Sequence, residues 1–318
     1  MTINRNFGIE MELTGLTMNQ GLSALQNAGL TACIEGYNHD TRPHWKIVTD
    51  ASVQGGFEVV SPILRGDAGL AEAERAADAL KRAGARINKT CGLHVHFAAD
   101  NLSVDAIRTI AVRYATFEGE IDAFMPHSRR ANTNYFCRST RQIFLNNRDF
   151  SSAATITDLA RAQGSRYFKL NLQSYTRHKT IEFRQHSGTV EAAKIRNWIL
   201  FLNAFINESC RLAGTHSPEL ARSLPNLQSA QARLVSMLEG EGASADSLQN
   251  ALNLLPHSLR AAISYLRRAG VAVESRRRNG ETRYRIASHA MRTAADSLFA
   301  GIDESVREFY LNRAAALA

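Results

Sequence analysis

The 318-residue sequence predicts an α+β fold in two main parts: a mixed region over residues 1–215 and a small helical module with a hairpin over 216–290, followed by a final helix over 291–318. Short stretches of strict apolar–polar alternation recur through the first part. Longer stretches with apolar residues at helical spacing lie between them. The composition shifts at Gly214-Thr215-His216-Ser217-Pro218, which reads as the boundary.

Residues 7–13 (Phe-Gly-Ile-Glu-Met-Glu-Leu) alternate with the period of a half-buried strand. Residues 70–83 carry Ala, Leu and charged residues at helical spacing and stop at Gly84. Residues 91–97 alternate again, and 103–124 read as one long helix with Ile107, Ile110, Ala111, Tyr114, Phe117 and Ile121 on its apolar stripe. Residues 169–172 and 179–184 read as a hairpin around a basic turn at Arg177 and His178, and 195–212 as a strongly apolar helix. Beyond the boundary come helices at 227–238, 245–252 and 256–268, then strands at 271–275 and 282–286. The strands are joined by Arg276-Arg277-Arg278-Asn279-Gly280, and Asn-Gly between alternating segments is a hairpin signal.

Composition narrows the function classes. Hydrophobic residues make up 44% of the chain, enough for a core, and the net charge of +8 suits nucleic acid, nucleotide phosphates or an acidic substrate without choosing among them. The longest apolar helical stretch, near Trp198–Phe205, is too short to span a bilayer, and residues 1–6 contain no signal-peptide apolar run. Cys33, Cys91, Cys137 and Cys210 are scattered with no CxxC pair, which argues against a disulfide framework or zinc knuckle and for a reducing cytoplasm. Neither GxxxxGK[ST] nor GxGxxG occurs, so no P-loop or Rossmann nucleotide site is supported.

The alternating segments share one feature. Glu10 and Glu12 project to one side while Ile9, Met11 and Leu13 project to the other; His94 and His96, and Glu182 with Arg184, repeat the arrangement, and Glu58 is a single carboxylate in an apolar strand. One such pair is ordinarily a solvated face or a cross-strand ion pair. All of them together form a polar face opposite a core face. Clustered carboxylates repel unless a cation neutralises them, and carboxylate oxygens with an imidazole suit Mg²⁺ or Mn²⁺, which in turn hold phosphates. Arg184 would add a fixed cation for phosphate oxygens. Asp50 would bind or deprotonate an amine, or merely cap a turn. Arg166, with Tyr167 and Asn171, would meet nucleotide or carboxylate, or be a surface arginine. Trp45 reads as core rather than an adenine stack, and Cys91 as a small buried hydrophobe.

Four segments in this order resemble the putative amidoligase family, which belongs to the glutamine synthetase and glutamate–cysteine ligase superfamily. They are Phe7-Gly8-Ile9-Glu10-Met11-Glu12; Asp50, Ser52 and Glu58-Val59-Val60-Ser61-Pro62; Cys91-Gly92-Leu93-His94-Val95-His96-Phe97; and Thr180-Ile181-Glu182-Phe183-Arg184. The resemblance spans roughly residues 5–210. It implies a curved, mainly antiparallel sheet of the glutamine-synthetase catalytic type with helices on its outer face. It further implies metal ligation by Glu10, Glu12 and Glu58, a second metal site from His94 and Glu182, and contact of His96 and Arg184 with ATP phosphates. The implied reaction joins a small-molecule or peptide carboxylate to an amine through an acyl phosphate. The chain lacks glutamine synthetase's N-terminal domain and long ATP loops, which leaves the nitrogen donor open.

In the C-terminal module, three helices followed by a hairpin is winged-helix order, with Pro256 in the first turn of the third helix and Leu259, Ile263 and Leu266 facing inward. Residues 216–290 contain ten arginines against six acidic residues, an excess of four, and Arg276, Arg277 and Arg278 fall at the wing tip where phosphate contacts are common. The module would bind DNA or, instead, protein or a second copy of the chain. Its resemblance to phage- and mobile-element-associated modules would suggest a prophage setting, by association alone. Against the ligase stand two alternatives: a DNA-binding regulator whose N-terminal part senses a nucleotide or metabolite, and a metal-dependent phosphohydrolase.

Overall fold

The computed structural model describes residues 3–215, 234, 237–238, 242–268, 273–278, 281–286 and 296–317. In chain order the elements are β1 (Phe7–Thr14), α1 (Met18–Asn27), β2 (Ala32–Ile34), β3 (Trp45–Val48), β4 (Gly56–Val60), α2 (Gly66–Arg82), β5 (Gly92–Ala98), α3 (Val104–Thr116) and α4 (Glu118–Ala123). Then follow α5 (Arg141–Asn146), α6 (Arg148–Ser152), α7 (Ile156–Gln163), β6 (Leu170–Asn171), α8 (Ser174–His178), β7 (Thr180–Ser187) and α9 (Ala192–Thr215). The C-terminal residues contribute β8 (Ala243–Ser244), α10 (Ala245–Leu252), α11 (Pro256–Arg268), β9 (Val273–Arg278), β10 (Glu281–Ile286) and α12 (Glu304–Leu317).

One seven-stranded sheet runs in the order β2-β3-β4-β1-β5-β7-β6. Every neighbouring pair is antiparallel except β2 with β3. The strand period sorts its side chains. Ile9, Met11, Leu13, Phe57, Val59, Leu93, Val95, Phe97, Ile181 and Phe183 all enter a single buried cluster with α2, α3 and α9, whose contributions include Leu70, Ala77, Ile110, Tyr114, Trp198 and Phe205. Helices therefore cover one face, and the other is free to present polar groups. Among the described residues, no helix is long and apolar enough to cross a membrane.

Several local expectations are corrected. The helix read over 103–124 is two helices broken at Phe117, whose backbone leaves helical geometry at φ −91°, ψ 12°. After the break, Glu118 and Asp122 meet the fully buried Lys169 at 3.0 and 2.6 Å, and Glu118 also accepts from the Thr140 backbone and hydroxyl. The apolar stripe nevertheless carries on across the break, with Ile121 and Phe124 buried in the core and Phe117 packed against it. Strands β6 and β7 are joined by the short helix α8, ending on Lys179 in the left-handed region (φ 56°), rather than by a tight turn. Strand β9 extends through Arg278, so Arg276 and Arg277 lie within it, opposite Arg283 and Thr282, and not at a tip. Asn279 and Gly280 lie outside the described residues, as does most of the 227–238 helix, of which Leu234 and Leu238 are helical and buried.

Strands β8, β10 and β9 form a three-stranded sheet in that order, and Leu234, Leu238, Leu248, Leu259, Ile263, Leu266 and Val273 make a second buried cluster with it. The final helix begins only at Glu304, after Gly301 adopts φ 73°; residues 291–295 of the expected helix lie outside the described residues. Leu298, Phe299, Val306 and Tyr310 join the large cluster, with Tyr310 against Phe124 and Trp198.

Candidate active site

Register aligns the polar residues across four central strands. Glu12 lies opposite Glu58, Glu10 opposite His94, and His96 opposite Glu182. A bulge between β5 and β7 at Leu93/Val95 gives β7 one extra residue there. Arg184 consequently stays on the polar face, where it donates to Glu182 Oε1, while Gln185 accepts from Tyr114 Oη at 2.6 Å.

The groups form one contact network. His94 Nδ1 lies 3.0 Å from Glu10 Oε2 and 3.7 Å from Glu182 Oε1, and its Nε2 is 3.6 Å from Glu12 Oε1. His96 Nε2 lies 3.3 Å from Glu10 Oε1, and its Nδ1 is 3.0 Å from Thr180 Oγ1. Asn171 Nδ2 donates to Glu182 Oε2. The Gly92 amide donates to Glu12 Oε2 at 2.6 Å. A Cβ at that point would sit 2.8 Å from His94 Nε2, so a larger residue would displace the imidazole.

The electrostatics are those of an under-neutralised acidic pocket. Burial, reinforced by Glu10, Glu12 and Asp50, pushes the Glu58 carboxyl well above the usual carboxylate range. Burial opposes ionisation of Glu10 too, yet His96 and His94 hold it well below that range. Glu182 is likewise lowered, by Arg184 and His96 against its burial. His96 is raised, because Glu182 and Glu10 outweigh its desolvation.

Three overlapping groups have the chemistry of divalent-cation sites: Glu10, Glu58 and His94; Glu10, His96 and Glu182; and Glu12, Asp50 and Glu58, the ligand atoms of each lying within 4.8 Å of one another. Oxygen-rich sets with at most one imidazole match Mg²⁺ or Mn²⁺. Two observations fit a missing cation. His96 Nε2 and Glu10 Oε1 lie 3.3 Å apart within one of the three groups, and Glu58 is disfavoured as an anion among its neighbours. The buried Nε of Arg184 has no hydrogen-bond partner, which suits an arriving phosphate oxygen.

Seven residues singled out from the sequence therefore converge: Glu10, Glu12, Glu58, His94, His96, Glu182 and Arg184. Asp50 joins them beside Glu12 and Glu58, and its Oδ1 also caps its own turn through the Ser52 amide and hydroxyl at 2.7 Å. Arg166 stands apart at an exposed position against the Tyr167 ring, and hydrogen bonds to Tyr167 and Tyr37 raise it against its desolvation. Trp45 is buried and donates to Glu72, and Cys91 is buried.

Besides Lys169, two buried cations escaped the sequence reading. Lys46 lies on the polar side of β3, opposite Val60, and its Nζ donates to Asn38 O, Asn38 Oδ1 and Asp40 O at 3.1, 3.0 and 2.8 Å. The strand around it is four residues long, too short for its alternation to stand out. Arg129 sits in a 3₁₀ turn with no periodicity to mark it.

A family model described as "Putative amidoligase enzyme" matches residues 3–206. A second, described as "Protein of unknown function (DUF3489)", matches residues 225–286. No curated protein matches the chain.

Proposed function

The chain belongs to the putative amidoligase enzyme family, and from that premise we propose that it is an ATP- and Mg²⁺-dependent carboxylate–amine ligase. The observation that carries this reading is the set of three overlapping groups, two of carboxylates with an imidazole and one of carboxylates alone, beside the half-buried Arg184. We read the sheet as one of the glutamine-synthetase catalytic type. Glu10, Glu12 and Glu58 would hold one cation, and His94 with Glu182 a second. Bound Mg²⁺ or Mn²⁺ would neutralise phosphate charge and align the γ-phosphoryl group for in-line transfer.

The chain's own residues then divide the remaining work. His96 and Arg184 address phosphate oxygens, and Arg166 meets the nucleotide at the rim. The substrate carboxylate oxygen attacks the γ-phosphorus, forming a C–O–P linkage as the bond to ADP breaks. The amine attacks the acyl carbon, inorganic phosphate leaves, and Asp50 accepts the amine's proton. Side-chain order matters here, because an arginine fixed by Glu182 does not have to be reoriented as charge develops.

For the C-terminal residues, a specific observation favours polyanion binding by a winged-helix module. Arg276 and Arg283 are exposed and directly opposed across β9 and β10, an arrangement disfavoured unless an anion lies over it.

The test is ADP release by the full chain with Mg²⁺ and mixed pools of amines and carboxylates, with products read by mass spectrometry. A mass gain equal to amide formation, stoichiometric with ADP, is expected. Phosphate release with no amide would mark a phosphohydrolase. No metal-dependent ADP with any pool would favour a sensing domain attached to a DNA-binding module.

A further inference from the structure

A cavity of about 640 Å³, within the range of small-ligand sites, opens near the β2 edge of the large sheet. Its walls come from the turn after α1, the end of the β2–β3 loop, the β4–α2 connection and α2 itself. Trp45 lines it and belongs to the apolar cluster, whereas the next residue, Lys46, reaches the opposite side of β3. The cavity therefore lies on the helix side of the sheet. None of the carboxylates, imidazoles and arginines that converge on the acidic face lines it.

The charges around this cavity are unevenly satisfied. Arg42 is neutralised by Glu35 at 3.1 Å and Asp40 at 3.2 Å, and His44 meets Glu35 at 2.7 Å. Arg65 and Arg75 also line the cavity; both are exposed and, among the described residues, neither makes an ion pair. Glu72 lies between them along α2, three residues before Arg75, yet does not pair with it. Its Oε1 instead accepts from Trp45 Nε1 at 2.9 Å, which fixes the carboxylate in the wall. Ile63, 54% exposed, gives the same cavity an apolar surface. The result is a cation, an anion and a second cation along one side of a concave site that also offers an uncovered aliphatic side chain.

We propose that this cavity binds a short acidic peptide of two or three residues. Its carboxylates meet Arg65 and Arg75, its amino group meets Glu72, and an apolar side chain covers Ile63. Guanidinium forks suit carboxylates, and the alternation of charge matches a peptide with a free amine and acidic groups at either end. The dimensions agree. Ten helical positions separate Arg65 from Arg75, ~15 Å, while three extended residues span ~10 Å, and the arginine side chains bridge the difference. Because the sheet stands between the cavity and the acidic face, a peptide held here is not the reacting carboxylate, and the inference does not depend on the ligase reading.

The test titrates the tripeptide glutamyl-leucyl-glutamate, with a free amino group, into the full chain by calorimetry. Wild type is expected to bind it, and Arg65→Gln and Arg75→Gln each to bind about tenfold more weakly, a change of ~1.4 kcal/mol. Both arginines are exposed, so thermal melting of the variants should match wild type. Acetylating the peptide's amino group should weaken wild type to the level of Glu72→Gln, which keeps an oxygen for the Trp45 bond. Arg184→Ala should bind the tripeptide as wild type does. No binding by wild type, unchanged affinity in both arginine variants, or equal binding of the free and acetylated peptides would overturn the proposal. So would loss of binding in Arg184→Ala alone, which would put the peptide on the acidic face. No turnover is read, so the result stands whether or not metal-dependent ADP release is found.

Discussion

The two faces of the central sheet are built from the same strands and the same backbone hydrogen bonds, yet they do opposite things for the molecule. Leu13, Val59, Leu93, Val95 and Phe183 are buried against helices and stabilise the fold. Glu10, Glu12, Glu58, His94 and Glu182 sit one residue away along the same strands and gather charges that burial resists. A strand pleat thus separates stability from chemistry at single-residue resolution. Substitutions on the polar face should remove activity while sparing the fold, and those on the apolar face should do the reverse.

The largest effect expected is on turnover. Arg184→Ala and Glu12→Ala should each lower metal-dependent ADP formation by at least ~10³-fold, about 4 kcal/mol in transition-state stabilisation, with cooperative melting retained. Wild-type rates in either variant would remove that residue from the site. The mirror experiment is Leu93→Ala. Leu93 is fully buried, so the variant should lose about 2–5 kcal/mol in urea unfolding while its folded fraction keeps turning over. A loss below ~1 kcal/mol would mean that the apolar face relaxes around the cavity.

This division was legible in the sequence because the strand period is two. Once 7–13, 91–97 and 179–184 were read as strands, Glu10, Glu12, His94, His96, Glu182 and Arg184 had to share a side within each strand. Register, which no alternation reveals, then set Glu10 against His94 and His96 against Glu182. What stayed illegible depends on long-range partners. Just past the α3–α4 break Glu118 pairs with Lys169, some fifty positions away, and a local apolar stripe carries no sign of that partner. Arg129 reaches Cys91 from a turn with no period, and Lys46 is held by carbonyls of the preceding loop. The arginines read as a wing tip proved to be strand residues because β9 extends further than its apolar start suggested.

The apolar side contains one group that sharpens the comparison. His186 in β7 lies opposite Leu93, fully buried, with its ring 5.4 Å from that of Trp198. Its Nδ1 donates to Ser187 O at 2.7 Å, and burial pushes its pKa down to about 3. An unfolded histidine titrates near ~6.5, so between those values the unfolded chain binds a proton that the native chain refuses. Stability from this residue is therefore complete above ~6.5 and is lost as pH falls toward about 3, at about 1.4 kcal/mol per pH unit. Between pH 7 and pH 5, wild type should lose about 2 kcal/mol more than His186→Leu in urea melts. Parallel losses in the two proteins would place the acid sensitivity elsewhere.

The smallest effect should also reverse sign with metal, which makes it the most discriminating. Burial and three neighbouring carboxylates raise the folded-state pKa of Glu58. Above the unfolded-state value near ~4.3, the unfolded chain releases a proton that the native state retains, so the penalty grows as pH rises toward the folded-state pKa and persists beyond it. In EDTA at neutral pH, Glu58→Gln should therefore be more stable than wild type by about 1 kcal/mol. Adding Mg²⁺ or Mn²⁺ stabilises whichever chain binds it, by about 2.7 kcal/mol at a hundredfold excess over Kd. Wild type has Glu58 in two of the three cation groups and the variant in neither, so the order of melting temperatures should invert. If Glu58→Gln melts below wild type in EDTA, Glu58 belongs to the structural face. If both gain equally from the cation, the charge crowding exists for some purpose other than metal binding.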